Sequence, residues 1–306
     1  MIGVRDIEIN QRIPAASETY YRVLQLLGEG GNSIVYLVLA LGGEYQGALF
    51  ALKLFKRITE TQRLEKFLRE IRFLRTCDHP CIMRIYDEGR YVWRSASAAR
   101  EYPFVIAEYL PQTLFDLIRG RVTIAEKLSI TLQLLSAIAH LAKQDPPVIH
   151  RDIKPRNIFL KGRTCVLGDF GLMKFTDNPE TDREVFKESI GPGMPFFYRT
   201  PDLVAYAKQE SDLTTKSDVF QLALVICELF TGRNPCKKAK DHLAPVELEP
   251  IREIPGARGF EIKSMLEQML IYNPNIRPAA GDLIDLWEGV FREIVTQSHQ
   301  LEGRVF

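Results

Sequence analysis

The chain has 306 residues, 46% of them hydrophobic, with 40 lysines and arginines against 39 acidic residues. That is enough apolar material for one large domain or two tightly joined lobes. The near-neutral balance lacks the basic excess that neutralises nucleic-acid phosphates, so no nucleic-acid partner is expected. The five cysteines, Cys77, Cys81, Cys165, Cys227 and Cys236, are odd in number and scattered. They fit a reducing, cytoplasmic setting better than a disulfide-stapled secreted domain. Cys77 and Cys81 lie four apart, but no second Cys/His pair completes a metal site, and they read as ordinary thiols. Met1 to Thr19 has no hydrophobic signal region. The longest apolar stretch, Val219 to Phe230, is interrupted by Gln221 and Glu228 and is too short to span a bilayer. A soluble protein with no membrane partner is expected.

In chain order, Leu24, Leu26 and then Ile34 to Leu39 form β-rich runs around Gly28-Glu29-Gly30-Gly31, and Ala48 to Leu54 forms a third after Gly42-Gly43. Thr59 to Arg75 carries Leu64, Phe67, Leu68, Ile71 and Leu74 at helical spacing. The runs Ile82 to Tyr86 and Phe104 to Leu110 complete an expected five-stranded sheet with one helix, and Arg94 to Arg100 reads as an exposed loop. From Thr113 the pattern is mainly helical. Ile124 to Ala142 is amphipathic, Asp218 to Thr231 is apolar nearly all round and hence central, and Phe260 to Ile271 and Ala279 to Val295 are two more helices. Strand-rich followed by helix-rich is an α+β arrangement, with the joint near Tyr109 to Gln112. Such joints are common ligand sites.

Three stretches carry chemistry. Gly28-Glu29-Gly30-Gly31-Asn32-Ser33-Ile34-Val35 lies between two strands, where glycines let backbone amides approach phosphate oxygens; a plain Gly-rich hairpin turn fits equally well. It is not a Walker loop, since no Gly-Lys-Ser/Thr and no helix follow. Lys53 sits on the next strand but one, and Glu70 faces inward on the following helix, from where it could hold Lys53 as a fixed positive charge for phosphates. The third stretch is His150-Arg151-Asp152-Ile153-Lys154-Pro155-Arg156-Asn157, followed by Asp169-Phe170-Gly171. An aspartate placed at a hydroxyl orients it and accepts its proton, and a second aspartate with an asparagine supplies hard oxygen ligands suited to magnesium.

With these motifs in this order, the sequence from about Tyr21 to about Arg292 resembles the eukaryotic-type (Hanks-type) serine/threonine protein kinases. The resemblance implies a bilobal fold with a small β-rich N-lobe and a larger α-helical C-lobe. It also implies an N-terminal extension over 1–20, an N-lobe over 21–110, a C-lobe over 111–293 and a tail over 294–306. It implies ATP and Mg2+ as cofactors and a protein substrate with a serine or threonine acceptor. By the same resemblance Gly28, Glu29, Gly30, Gly31, Asn32, Ser33 and Val35 cover the phosphates, Lys53 binds the α- and β-phosphates, and Glu70 orients Lys53. Val35, Ala51 and Phe159 sandwich adenine, while the backbone of Glu108 to Leu110 hydrogen-bonds it. Asp152 is the base, Lys154 contacts the γ-phosphate and favours serine/threonine specificity, and Asn157 and Asp169 hold magnesium. Asp218 matches the brace of the catalytic loop, and Arg277 matches the arginine that pairs with the acid ending the activation segment, here Asp202. Leu74, Ile85, His150 and Phe170 match the family's lobe-linking stack.

Ala107 aligns with the position limiting access behind ATP, where alanine is unusually small. A bulky adenine-mimetic is therefore expected to bind, and Ala107→Phe to weaken it; equal affinity of the two forms in a direct binding assay refutes the assignment. Arg151 precedes Asp152, and in the family such an arginine often pairs with a phosphate on the activation segment. Thr176, Thr181 and Ser189 are the candidate sites, with autophosphorylation expected. Ser33 stands at the loop's third glycine position, and Phe220 and Ala223 stand where the central helix commonly has tryptophan and glycine. The family's Gly-Thr pair, whose hydroxyl bridges the catalytic aspartate and Lys154, has no clear match in Gly191 to Phe196. Without gaps its threonine falls on Pro195, so the alignment shifts, or Ser189 or another group does that job. A pseudokinase-like scaffold would have lost the chemistry, whereas Lys53, Glu70, Asp152, Asn157 and Asp169 are all intact, and a small-molecule kinase generally lacks the His-Arg-Asp-x-Lys signature, so both alternatives fit the sequence less well. Nothing in the sequence reads out an oligomeric state.

Overall fold

The computed structural model describes residues 7–94, 99–176, 186, 197–256 and 258–302. The chain forms two compact units, Met1–Asp78 with Ile82–Leu110, and His79–Cys81 with Pro111–Phe306.

The first unit is an antiparallel sheet with one helix. Its strands are β1 (Arg12–Pro14), β2 (Tyr20–Glu29), β3 (Ser33–Ala40), β4 (Leu49–Phe55), β5 (Ile85–Arg94) and β6 (Ala99–Glu108), in the order β1-β2-β3-β4-β6-β5. Strict alternation in β3 buries Ile34, Tyr36, Val38 and Ala40 on one face. There they meet Val23, Phe50, Leu52, Phe104 and Ile106. On another face α1 (Thr61–Thr76) inserts Phe67 and Ile71 against Phe55 and Val105, with the Phe55 and Phe67 rings stacked at 4.9 Å. The sheet has six strands rather than the expected five. The added strand, β1, offers only Ile13 to the core, too little apolar pattern to show in sequence. The expected loop from Arg94 to Arg100 is also shorter than its composition suggests, because Arg94 pairs with Ala99 across the β5–β6 hairpin. Tyr91 and Trp93 alternate inward there between the exposed Arg90, Val92 and Arg94. Gly89 is required by close approach: a Cβ would come within 2.5 Å of the Phe104 ring.

The second unit is mainly helical: α2 (Leu114–Leu117), α3 (Ile124–Ala142), α4 (Pro201–Ala207), α5 (Lys216–Thr231), α6 (Gly259–Met269) and α7 (Ala280–Glu302). A reciprocal capping box starts α3, with the Glu126 N–H donating to Thr123 Oγ1 and the Thr123 N–H to the Glu126 carboxylate. The central helix α5 is buried from Ser217 through Cys227, and ends on Gly232, whose φ of 70° is the left-handed geometry that glycine adopts without strain. The last helix runs past the expected Val295 to Glu302 and buries Trp287 completely. Two short ribbons carry the functional loops: β7 (Val148–Ile149) with β10 (Lys174–Phe175), and β8 (Ile158–Lys161) with β9 (Thr164–Leu167). No helix among the described residues is long and apolar enough to cross a membrane.

Candidate active site

In the sheet unit, β2 and β3 converge on the glycine loop, with Gly28 opposite Val35 and the Gly30 N–H donating to the Ser33 carbonyl at 2.9 Å. None of Gly28, Gly30 or Gly31 has a positive φ, and a Cβ at Gly28 or Gly31 would meet nothing within 4 Å. The turn geometry and the protein's own packing therefore leave these glycines unexplained. Free space over exposed amides is what a phosphate cradle requires. The loop is tied down from below in a way its sequence does not show. Lys56 Nζ donates to Glu29 at 2.6 Å, Arg57 Nε to the Gly31 carbonyl at 2.8 Å, and Arg63 to Asn32 Oδ1 at 3.1 Å. Val35 and Ala51 are half-buried on adjacent strands, and Ala107 pairs directly with Ala51. Glu108 pairs with Phe50, and its N–H donates to the Arg84 carbonyl at 3.3 Å; Leu110 is half-buried. Lys53 Nζ lies 2.9 Å from Glu70 Oε1, and the glutamate is 7% exposed. Helical spacing puts Glu70 one position before Ile71 on the buried side of α1, which is how a charged residue reaches the interior.

In the helical unit, Asp152 is the hub. Lys154 Nζ donates to both of its oxygens at 2.9 and 2.8 Å, and Asn157 Nδ2 donates to Oδ2 at 2.8 Å and to the Asp152 carbonyl at 2.9 Å. Burial pushes the Asp152 carboxyl up to about 6; the Lys154 charge opposes this and the Asp169 charge adds to it. The group is thus mainly ionised at neutral pH while remaining basic enough to take a proton. Both of these Asn157 Nδ2 bonds go to Asp152, which leaves Oδ1 as the atom that could hold a cation. Asp169 is exposed and sits at φ 57°, and Arg151 sits at φ 67°. Such left-handed non-glycine backbone persists where surrounding contacts enforce it, typically at functional sites.

The loop's frame explains that geometry. Asp218 on α5 accepts the N–H groups of His150 at 2.7 Å and Arg151 at 3.0 Å. Burial pushes its carboxyl up to about 6, opposed by those two N–H groups. His150 Nε2 lies 3.1 Å from the Gly168 carbonyl and must carry the proton, which leaves Nδ1 to accept the Asp152 N–H at 3.2 Å. The His150 ring meets Phe170 edge-on at 4.5 Å. Phe159 is half-buried on β8, opposite Val166.

Arg151 is buried and its guanidinium is held by protein groups. Its guanidinium donates to the Leu172 carbonyl at 2.5 Å and the Met173 carbonyl at 3.1 Å, and lies 4.4 Å over the Phe186 ring. A phosphate pairing with Arg151 would have to displace these partners. Thr176 is exposed. Thr181 and Ser189, and the segment Gly191 to Phe196, lie outside the described residues. The five cysteines are free, and burial raises the Cys77 thiol to about 11.

The protein kinase domain family model matches residues 21–286. The chain belongs to the protein kinase domain family. Over 284 residues it is 28% identical to a carbon catabolite-derepressing protein kinase of Candida albicans, covering 89% of this chain and 41% of that protein. It is 28% identical over 249 residues to a probable serine/threonine-protein kinase PknB of Bifidobacterium longum, covering 77% of this chain and 34% of that protein. It is 30% identical over 225 residues to serine/threonine-protein kinase tousled-like 2 of Xenopus tropicalis, covering 70% and 31%. The chain thus spans less than half the length of these relatives.

Proposed function

We propose that the chain is an ATP- and magnesium-dependent protein serine/threonine kinase. The observation that carries this reading is the Asp152–Lys154–Asn157 cluster on a loop held by Asp218. A pseudokinase-like scaffold has no use for a buried carboxylate braced in this way. The free space over Gly28 and Gly31 fits a triphosphate, and the oxygen donors Asn157 and Asp169 fit magnesium. Magnesium would neutralise charge on the phosphate oxygens. The chain's own residues do the rest. Amides of the glycine loop and the Lys53 ammonium hold phosphates, while Asp152 orients the acceptor hydroxyl and takes its proton. The acceptor oxygen bonds to the γ-phosphorus as the bond from that phosphorus to the β–γ bridging oxygen breaks and ADP leaves. Lys154 stabilises the transferred group. Autophosphorylation between Asp169 and Asp202 belongs to the same proposal, with Thr176, Thr181 and Ser189 as candidate acceptors and Arg151 as the group a phosphate would engage. Five free cysteines favour a cytoplasmic location.

Incubation with labelled ATP, magnesium and a generic protein, beside an Asp152→Ala control, tests the proposal. Label on protein that vanishes in the control supports it. Label on small molecules alone supports a small-molecule kinase, and no transfer with intact nucleotide binding supports a scaffold. A second expectation concerns Lys53. Glu70→Gln keeps an acceptor at 2.9 Å but removes its charge, weakening a bond worth about 1.5–3 kcal/mol. Nucleotide affinity should fall about tenfold, equivalent to about 1.4 kcal/mol, by titration calorimetry. An unchanged Kd would show that Lys53 is positioned by something else.

A further inference from the structure

Between Val219 and Phe230 the central helix α5 is apolar apart from two polar interruptions, Gln221 and Glu228. Both reach the same residue. Gln221 Nε2 donates to the Tyr198 carbonyl at 2.7 Å, and the Tyr198 hydroxyl donates to Glu228 in a short bond. Gln221 also grips the catalytic loop on either side of Asp152. Its Nε2 donates to the Arg151 carbonyl at 3.1 Å, and its Oε1 accepts the Ile153 N–H at 2.7 Å. The side chain is 1% exposed, and two carbonyls and one N–H surround its amide. That set of partners fixes the amide orientation, because the reverse orientation would point donors at the Ile153 N–H and an acceptor at two carbonyls. Neighbouring bonds hold the same stretch. Asn234 Nδ2 donates to the Phe197 carbonyl at 2.8 Å, and the buried Arg199 donates to the carbonyls of His242 and Ala244 at 2.9 and 2.8 Å.

A buried amide inside an apolar helix is costly unless every partner is met, and these partners are met. The arrangement also answers a gap in the sequence. The family's threonine that ties the activation segment to the catalytic aspartate has no clear match between Gly191 and Phe196, its position falling on Pro195 when no gaps are placed. We propose that Gln221 is a positioning residue that couples the end of the activation segment, through the Tyr198 carbonyl, to the backbone on both sides of Asp152. This rests on the kinase reading. Asp218 fixes the N–H groups of His150 and Arg151, and Gln221 one turn later fixes the Arg151 carbonyl and Ile153 N–H. Together they hold the backbone on both sides of Asp152, which limits how far its carboxylate can tilt. The Tyr198 bond gives the substrate-side segment a share in that geometry.

The test uses Gln221→Met, which keeps the length and loses all three bonds, and Gln221→Asn, which keeps an amide but shortens its reach by one methylene. Three quantities are read on the folded fraction of each: hydrogen exchange at the Ile153 amide, nucleotide Kd, and kcat and KM for a protein substrate. For Gln221→Met we expect at least about tenfold faster exchange at Ile153, a kcat lower by about 10- to 100-fold, a several-fold higher KM for protein, and a nucleotide Kd within about twofold of wild type. Gln221→Asn should fall between the two. A merely structural glutamine would lower kcat and nucleotide binding together through loss of folded protein. Unchanged exchange at Ile153, or a kcat within twofold in folded Gln221→Asn and Gln221→Met, overturns the positioning role alone. A wild-type protein that transfers no phosphate overturns the kinase reading and the positioning role with it.

Discussion

Asp152→Asn should lower the rate of phosphoryl transfer by about 10²- to 10⁴-fold, the range for loss of a positioned general base, while leaving the fold and nucleotide affinity nearly unchanged. The separation follows from the bonds around the carboxylate. Oδ2 accepts from both Lys154 and Asn157, whereas Oδ1 accepts from Lys154 alone. An asparagine can place its carbonyl oxygen at the Oδ2 position and keep both of those donors. Its NH2 then takes the Oδ1 position, and Lys154 needs only a small rotation to avoid it. The backbone bonds to His150 and Asn157 do not involve the side chain and persist. What the variant cannot do is accept a proton. Single-turnover transfer from labelled ATP measures the loss, with nucleotide Kd and melting temperature as controls. A residual rate within tenfold of wild type would falsify the assignment of Asp152 as the base, because positioning alone would then carry the reaction.

The sequence exposed this site because its chemistry is local. Asp152, Lys154 and Asn157 fall within one short loop, and Asp169 follows two residues past the end of β9. The helices were legible for a similar reason: α3 shows its apolar period within the element itself, and α5 is a local run that is apolar nearly all round. What the sequence hid is long-range. Gln221 was visible only as a break in an apolar run, since its partners lie 68, 70 and 23 residues away. The ties from Lys56, Arg57 and Arg63 to the glycine loop were hidden in the same way, because three cations on a polar stretch read equally well as solvated surface. β1 was missed because one buried isoleucine gives no alternation to detect, although Ile13 packs into the sheet's core. The engagement of Arg151 with Leu172, Met173 and Phe186 could not be read either. The resemblance makes this arginine a candidate partner for a phosphate, and only its surroundings show that protein groups already hold it.

The largest stability effect should come from Arg277. This residue is wholly buried, and every N–H direction of its guanidinium is used. Two bonds go to Asp202, at 2.5 and 3.3 Å, and three go to the carbonyls of Ile271, Lys216 and Tyr272, at 2.8, 2.7 and 3.1 Å. The guanidinium also lies 4.9 Å over the Phe220 ring, the residue standing where the family commonly has tryptophan. Asp202→Ala removes one partner and leaves a buried cation with three carbonyls, for which a cost of about 3–5 kcal/mol is expected. At roughly 2–4 °C per kcal/mol for a unit of this size, the melting temperature should fall by about 6–20 °C. Arg277→Met should cost more, since it leaves a buried carboxylate and also strips three carbonyls of their donor. The double variant Asp202→Leu with Arg277→Met should be less destabilised than Arg277→Met alone, because the unpaired charge is gone, yet it should not regain wild-type stability. A simple ion pair replaced by apolar residues can be neutral, but here the three carbonyls remain without partners. Urea denaturation of the three variants gives this order directly. If Arg277→Met is no worse than Asp202→Ala, the carbonyl bonds contribute little, and the pair alone joins α4 to the segment before α7.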